Sequence, residues 1–406
     1  MRYEYSKEKS KEFFLECSQR LAALSEQINK TPEADQKTLT TLFTELNRLN
    51  ALLARIERSH IGEFSWPFAE SFEQLAIKVL TAKAPPDRKP PLFFISADGG
   101  LDIYRIFPEQ VKGSFQSRQI FSINFPRSLK DHVLYHPILG HELGHAAWTL
   151  PELQRRLVDD VLKPLFEKSQ FSTNQTAQNW IKTAFGVDLN PFDTGRVLKF
   201  WIEEYLSDIF GLLIFGPSFM AAHRSLLSTL DVTGTTFIPT HPPNVSRFWM
   251  LDVAYKHLAW DQPPDGASTE LIHSIKEFNE EIRLNTPTIP AGFKVFDEVQ
   301  IKLSADGMKR VLIDFGNTEY TQPNSTTLQA ITDSFAKTTP ALATSIDVGG
   351  NISNQILDFR HLLYCGWLFP HYTTTGTVNL DFFNINRMCS RSILQQVAIH
   401  TMQEGK

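Results

Sequence analysis

The chain has 406 residues, room for two or three domains, with 42% hydrophobic and 21% charged residues, the balance of an ordinary globular protein. Its formal net charge is -5 and no stretch is strongly basic, which argues against nucleic acid as a partner. Cys17, Cys365 and Cys389 form no C-x-x-C pair, which speaks against a thiolate zinc knuckle or a thioredoxin-like site and fits reduced thiols in a cytosolic compartment.

Met1 to Lys11 is charged and has no apolar core, so it is not read as a secretory signal. The expected location is the cytoplasm, with export by a route that needs no cleaved signal left open. Residues 5–81 read as helices. Leu39, Leu42, Phe43, Leu46, Leu49, Leu53 and Ile56 recur at steps of three and four, one apolar stripe on a helix. Thr31-Pro32-Glu33 reads as its start, with Thr31 as cap and Pro32 in the first turn. With an earlier helix from Ser6 to Asn29, this predicts an antiparallel helical hairpin, a packing module or a surface for a protein partner.

Lys83 to Pro91 is rich in proline and charge and reads as a linker. Pro91 to Ser96, Leu101 to Phe107 and Gln119 to Phe125 then read as β-strands, the first two joined by a hairpin signal at Asp98-Gly99-Gly100. The expectation is a small antiparallel sheet. The third strand is read either as an edge that could pair with an extended peptide or as an interior strand.

His141-Glu142-Leu143-Gly144-His145 follows, an H-E-x-x-H sequence with Pro137 placed in the first turn of its helix. Histidines four apart on a helix share a face, so one Zn²⁺ can take both imidazoles. Zinc lowers the pKa of water, and Glu142 beside it can take the proton as that water attacks a carbonyl. Further helices are expected near residues 151–169, 175–185, 195–215, 246–260 and 268–283. The stretch from Ile209 to Ala222 is apolar but shorter than the roughly 20 residues of a spanning helix, and Gly211, Gly216 and Pro217 interrupt it. The last hundred residues read as mixed strand-like and loop-like segments with helices near 325–337 and 382–402. The expected domains are a helical region 1–85, a catalytic domain 86–290 and a C-terminal α+β region 291–406.

A catalytic zinc wants a third protein ligand. Glu204 and Asp208 share a helix face within Glu203-Glu204-Tyr205-Leu206-Ser207-Asp208, and Gly211 beyond them would let that helix approach its neighbour. Glu203 competes with Glu204 but points about 100° away. Glu204 to Gly211 resembles the third-ligand motif of the gluzincin metallopeptidases, the thermolysin-like class. That resemblance implies a zincin-like α+β fold, zinc held by His141, His145 and Glu204, and Asp208 bonded to His141. Thr240-His241-Pro242-Pro243 with Arg247 resembles a later motif of the membrane gluzincins that process CaaX proteins or perform membrane quality control. It implies that His241, and with it Arg247, donates hydrogen bonds to substrate or oxyanion, or that Arg247 holds its loop in place. The chain departs from those enzymes in showing no spanning segment and in its long stretch between His145 and Glu204. His132 and His136 read as turn or capping residues, and His223 as an ordinary surface or core residue.

The function expected from these residues is a zinc metallopeptidase acting on a protein or peptide. The alternative is a gluzincin scaffold used for binding or regulation, its metal site latent or vestigial. A weaker third reading is a zinc hydrolase of a non-peptide amide.

Overall fold

In a computed structural model of the chain, the described residues are 2–60, 66–84, 90–97, 102–106, 120–164, 179, 191–231, 233–283, 289, 294–341, 345–346, 352–353, 357–372 and 380–403. They fall into two compact units, Met1–Asp131 and His132–Lys406.

In the first unit, α1 (Arg2–Lys30) and α2 (Gln36–His60) form the expected helical pair, joined through residues 31–35. Their facing stripes bury Cys17 and Leu24 against Leu42 and Leu49. Each such leucine contributes about 1.5–3 kcal/mol of burial. The cap differs from the one expected. Thr31 ends α1, its N–H and hydroxyl both donating to the Gln27 carbonyl at 3.0 and 2.8 Å. Asp35 caps α2 instead, accepting the Thr38 N–H at 3.2 Å, because a carboxylate directly ahead of the first turn serves its free N–H groups best. The Thr38 side chain, and then its N–H, hold the Asp35 pKa below its ordinary value. A third helix, α3 (Trp66–Thr81), follows.

The described residues of this unit also form three strands, β1 (Leu92–Ser96), β2 (Asp102–Ile106) and β3 (Ile120–Asn124), in the order β1-β3-β2. The sheet is mixed, not antiparallel as expected. β3 runs parallel to β1, with Leu92 opposite Ile120, and antiparallel to β2, with Asp102 opposite Asn124. The expected hairpin pairing of β1 with β2 is therefore replaced by β3 between them; the turn residues 98–100 lie outside the described residues. The physical reason lies in β3 itself. Phe121 and Ile123 are buried on one face and Ser122 and Asn124 on the other, so the strand belongs in the middle of a covered sheet. The Ser96 hydroxyl donates to Asn124 Oδ1 at 2.8 Å. Of the two readings of this strand, the interior one describes it.

Among its described residues the second unit is almost entirely helical. A 3-10 segment, Val133–Ile138, leads directly into α4 (Leu139–Trp148), and Pro137 lies in that segment and not in the first α-turn as expected. α5 (Pro151–Leu157) passes into a π-helical turn, Val158–Leu162. The remainder of the helix expected near 151–169, and all but residue 179 of that near 175–185, lie outside the described residues. α6 (Pro191–Phe215) ends at Gly216, whose φ of 61° reverses the chain, and Pro217 opens α7 (Pro217–Leu230). Then come α8 (Asn244–His257), α9 (Thr269–Arg283), α10 (Glu298–Asp314), α11 (Ser325–Ala336), the short strands β4 (Ser345–Ile346) and β5 (Ile352–Ser353), α12 (Phe359–Leu368) and α13 (Phe382–Gln403). α10 and α12 are helices where strand-like or loop-like chain was expected.

The pairing of α4 with α6 sets up the site. A Cβ on Gly140 would lie 2.9 Å from the Gly211 Cα, and one on Gly144 would lie 2.8 Å from the Ser207 Cα. Contacts that rise in number along one helix and fall along the other mean the two run antiparallel. Only glycine lets two backbones come this close. Among the described residues no helix is long and apolar enough to cross a membrane.

Candidate metal centre

α4 presents His141 and His145 one turn apart, and α6 faces them with Glu203, Glu204, Ser207 and Asp208. One donor atom from each of His141, His145 and Glu204 lies within 4.8 Å of the others. The two Nε2 atoms are 3.0 Å apart. Glu204 Oε2 is 3.4 Å from His141 Nε2, and Glu204 Oε1 is 3.2 Å from His145 Nε2.

The outer nitrogens fix the proton positions. His141 Nδ1 lies 2.8 Å from Asp208 Oδ1, and His145 Nδ1 lies 3.2 Å from Glu203 Oε1, with Ser207 Oγ at 3.4 Å. A carboxylate only accepts, so each Nδ1 carries a proton and donates it, and whenever the ring is neutral, as a metal ligand must be, its lone pair is on Nε2. Two lone pairs and a carboxylate aimed at one point repel one another unless they share a cation. Glu204 Oε2 is buried and makes no hydrogen bond, though the Arg247 guanidinium is 3.6 Å away. This orphaned oxygen and the two-nitrogen, one-carboxylate donor set fit a divalent metal ion. Glu203 reaches the outer side of His145, away from the point where the other donors converge.

Where no cation is shared, the same carboxylates favour protons on the rings. Burial pushes His141 down, but Glu204 and Asp208 more than offset it and its pKa is raised. Burial likewise opposes protonation of His145, while Glu203 and Glu204 carry it up to about 10, helped by the nearby charge of the buried Glu142. Burial disfavours the Glu204 carboxylate, yet His141, His145 and Arg247 hold it well below the usual range.

Arg247, in the first turn of α8, is buried and spent on Asp208. Its Nε donates to Oδ2 and its Nη2 to Oδ1, both at 2.7 Å. Burial would raise the Asp208 pKa, but Arg247, with His223 and His141, keeps it far below the ordinary value. Arg247 thus stands behind the first histidine, clamping the carboxylate that holds it.

His241 is placed differently. Ile238 and His241 exchange backbone hydrogen bonds of 3.1 Å each, a tight turn tied to α6 by the Trp201 indole N–H donating to the Ile238 carbonyl at 3.1 Å. The imidazole is half exposed, with Nε2 3.8 Å from Glu204 Oε1. Thr240 Oγ1 is 2.9 Å from its Nδ1. With that hydroxyl donating, Nε2 keeps the proton and can donate it in turn. Burial, with Arg247, His141 and His145 nearby, lowers the His241 pKa and favours the neutral ring.

No protein-family model, curated protein or solved structure matches this chain. The centre therefore stands on its own geometry. The site residues expected from the sequence are His141, Glu142, His145, Glu204, Asp208, His241 and Arg247; the structure brings His141, His145 and Glu204 to one point, buries Glu142 beside His141 in the chain, sets Asp208 and Arg247 behind His141, and leaves His241 at the side, 3.8 Å from Glu204. Sequence reasoning missed two residues. Glu203 was weighed only as a rival ligand, although its place beside Glu204 lets it meet the second histidine. His223, read as ordinary, lies in the same network, its Nε2 2.9 Å from Asp208 Oδ1. The available signal was Gly216-Pro217, which doubles α7 back along α6.

Proposed function

We propose that the chain is a zinc-dependent metallopeptidase of the gluzincin type. The observation that carries this reading is the convergence of His141 Nε2, His145 Nε2 and Glu204 within 4.8 Å, with carboxylates on both outer imidazole nitrogens. Such a set supports zinc over harder ions that prefer all-oxygen ligands. Bound there, zinc would supply a Lewis acid that polarises a carbonyl and makes water acidic.

The remaining work belongs to the chain. Glu142, next to His141 on the same helix, takes a proton from the attacking water and returns it to the leaving amine. His241 donates from Nε2 to the oxygen that gains charge as the carbonyl becomes tetrahedral. Asp208 and Glu203 keep the imidazoles oriented, and Arg247 fixes Asp208.

Glu142→Gln tests this reading. The variant should bind zinc as the parent does, measured by competition with a chromophoric chelator, and lose peptide hydrolysis by a factor of about 10²–10⁴. Full activity in Glu142→Gln would overturn the mechanism. Glu204→Ala should lose the metal, and stoichiometric zinc in that variant would move the third ligand elsewhere.

A further inference from the structure

His223 lies on a face of α7 otherwise built from Phe219, Met220 and Leu226. It is 1% exposed. Its ring is 5.1 Å from Phe219, 5.9 Å edge-on to Phe248 and 6.4 Å from His141, measured between centroids. Although Nε2 is 2.9 Å from Asp208 Oδ1, the approach is misaligned, and neither ring nitrogen makes a hydrogen bond. A buried imidazole in that state lowers stability, whereas phenylalanine would fill the same space with no polar atom to satisfy. Packing alone does not account for a histidine here.

The place of the ring does. Asp208 Oδ1 receives the N–H of His141 from α4 and that of Arg247 from α8. Arg247 also takes Oδ2, so the guanidinium alone could draw the carboxylate off the neutral, more weakly bound imidazole. His223 brings a third helix, α7, to the same oxygen. The 2.9 Å separation is within hydrogen-bond reach, so a turn of the ring that aligned Nε2–H with Oδ1 would make an N–H···O bond.

We infer that His223 is a positioning residue of the metal centre: it holds Asp208 Oδ1 against His141 Nδ1 and so keeps the His141 lone pair aimed at the metal. This rests on reading the cluster as a metal centre. It assigns His223 no contact with substrate.

The test uses the full chain, zinc alone as probe and no activity assay. His223→Phe should weaken zinc binding about tenfold or more in chelator competition. The metal-free variant should melt at or above the parent temperature, since a buried polar group has been replaced by an apolar one. His223→Gln, whose amide can donate to the same oxygen, should recover most of the affinity. Parental affinity in His223→Phe overturns the inference, as does a Gln variant no better than Phe. Should His223→Phe fail to fold, His223→Leu combined with Asp208→Asn replaces it: a non-additive loss of zinc affinity supports the coupling and an additive one overturns it. A parent chain that takes up no zinc sinks the metal-centre reading itself, while zinc bound equally by parent and His223→Phe sinks only the role of His223.

Discussion

Three carboxylates within six residues of α6 have three different fates. Glu204 turns toward the convergence point, Glu203 toward the outer nitrogen of His145, and Asp208 toward His141, Arg247 and His223. Asp208→Asn should be the costliest of single changes here, because it removes the carboxylate that takes two hydrogen bonds from the buried Arg247 and leaves only Glu204, 3.6 Å away, to balance that charge. A loss of about 3 kcal/mol is expected from chemical denaturation of the metal-free protein. Glu203 is more exposed, and its effect should appear in affinity and not in folding. Glu203→Ala should weaken zinc binding about tenfold, with Ser207 too distant to replace it fully, and Glu203→Gln should stay near the parent. At this scale the ligands were legible because each motif is local: steps of four residues on one helix face announce themselves. His223 was not, since the chain between Asp208 and His223 crosses a reversal at Gly216, and no periodicity spans a reversal.

Between elements, the decisive contact is α4 against α6. A methyl group at Gly144 would meet backbone, not a side chain that could swing away. Gly144→Ala should therefore cost roughly 1–3 kcal/mol by denaturant titration and weaken zinc binding as well, because the ligands sit on both sides of the displaced contact. Retained stability and affinity would mean that the helices are freer to separate than this contact allows. Legibility here was uneven. The helical pair at the N-terminus shows a clean stripe, so it could be read. α10 could not: its buried face includes Gln300, Ser304 and Gly307, which blurs the apolar period. α12 is buried nearly all round and shows no amphipathic contrast. The sheet order escaped for another reason. A local turn signal between β1 and β2 says nothing of a later strand that pairs with both.

Across the second unit, Asp358 and Arg360 join distant parts of the fold. The Asp358 carboxylate caps α12 and holds Arg360, whose Nη1 donates to the carbonyls of Ile214 at 2.9 Å and Thr318 at 2.8 Å. Burial would raise the Asp358 pKa, but Arg360 depresses it below the ordinary 3.8. A carboxyl more acidic in the folded chain stabilises it fully above its unfolded value; that stabilisation drains away as the pH falls below 3.8 toward the folded value. Asp358→Asn should therefore lower the melting temperature at neutral pH and flatten its decline in acid, and an unchanged acid slope would show that other carboxylates govern it.

The facing pairs Gly140–Gly211 and Gly144–Ser207 also act as a ruler. One residue inserted between 204 and 208 would swing everything beyond it by about 100° relative to Glu204. Asp208 would leave His141, and the bulk of a side chain would stand where Gly211 now lets α4 pass. A change of length in the connection between α4 and α6 alters neither register. Natural variants of this chain should accordingly gain and lose residues between the π-helical turn Val158–Leu162 and the start of α6 while keeping the count inside 140–145 and 203–211 unaltered.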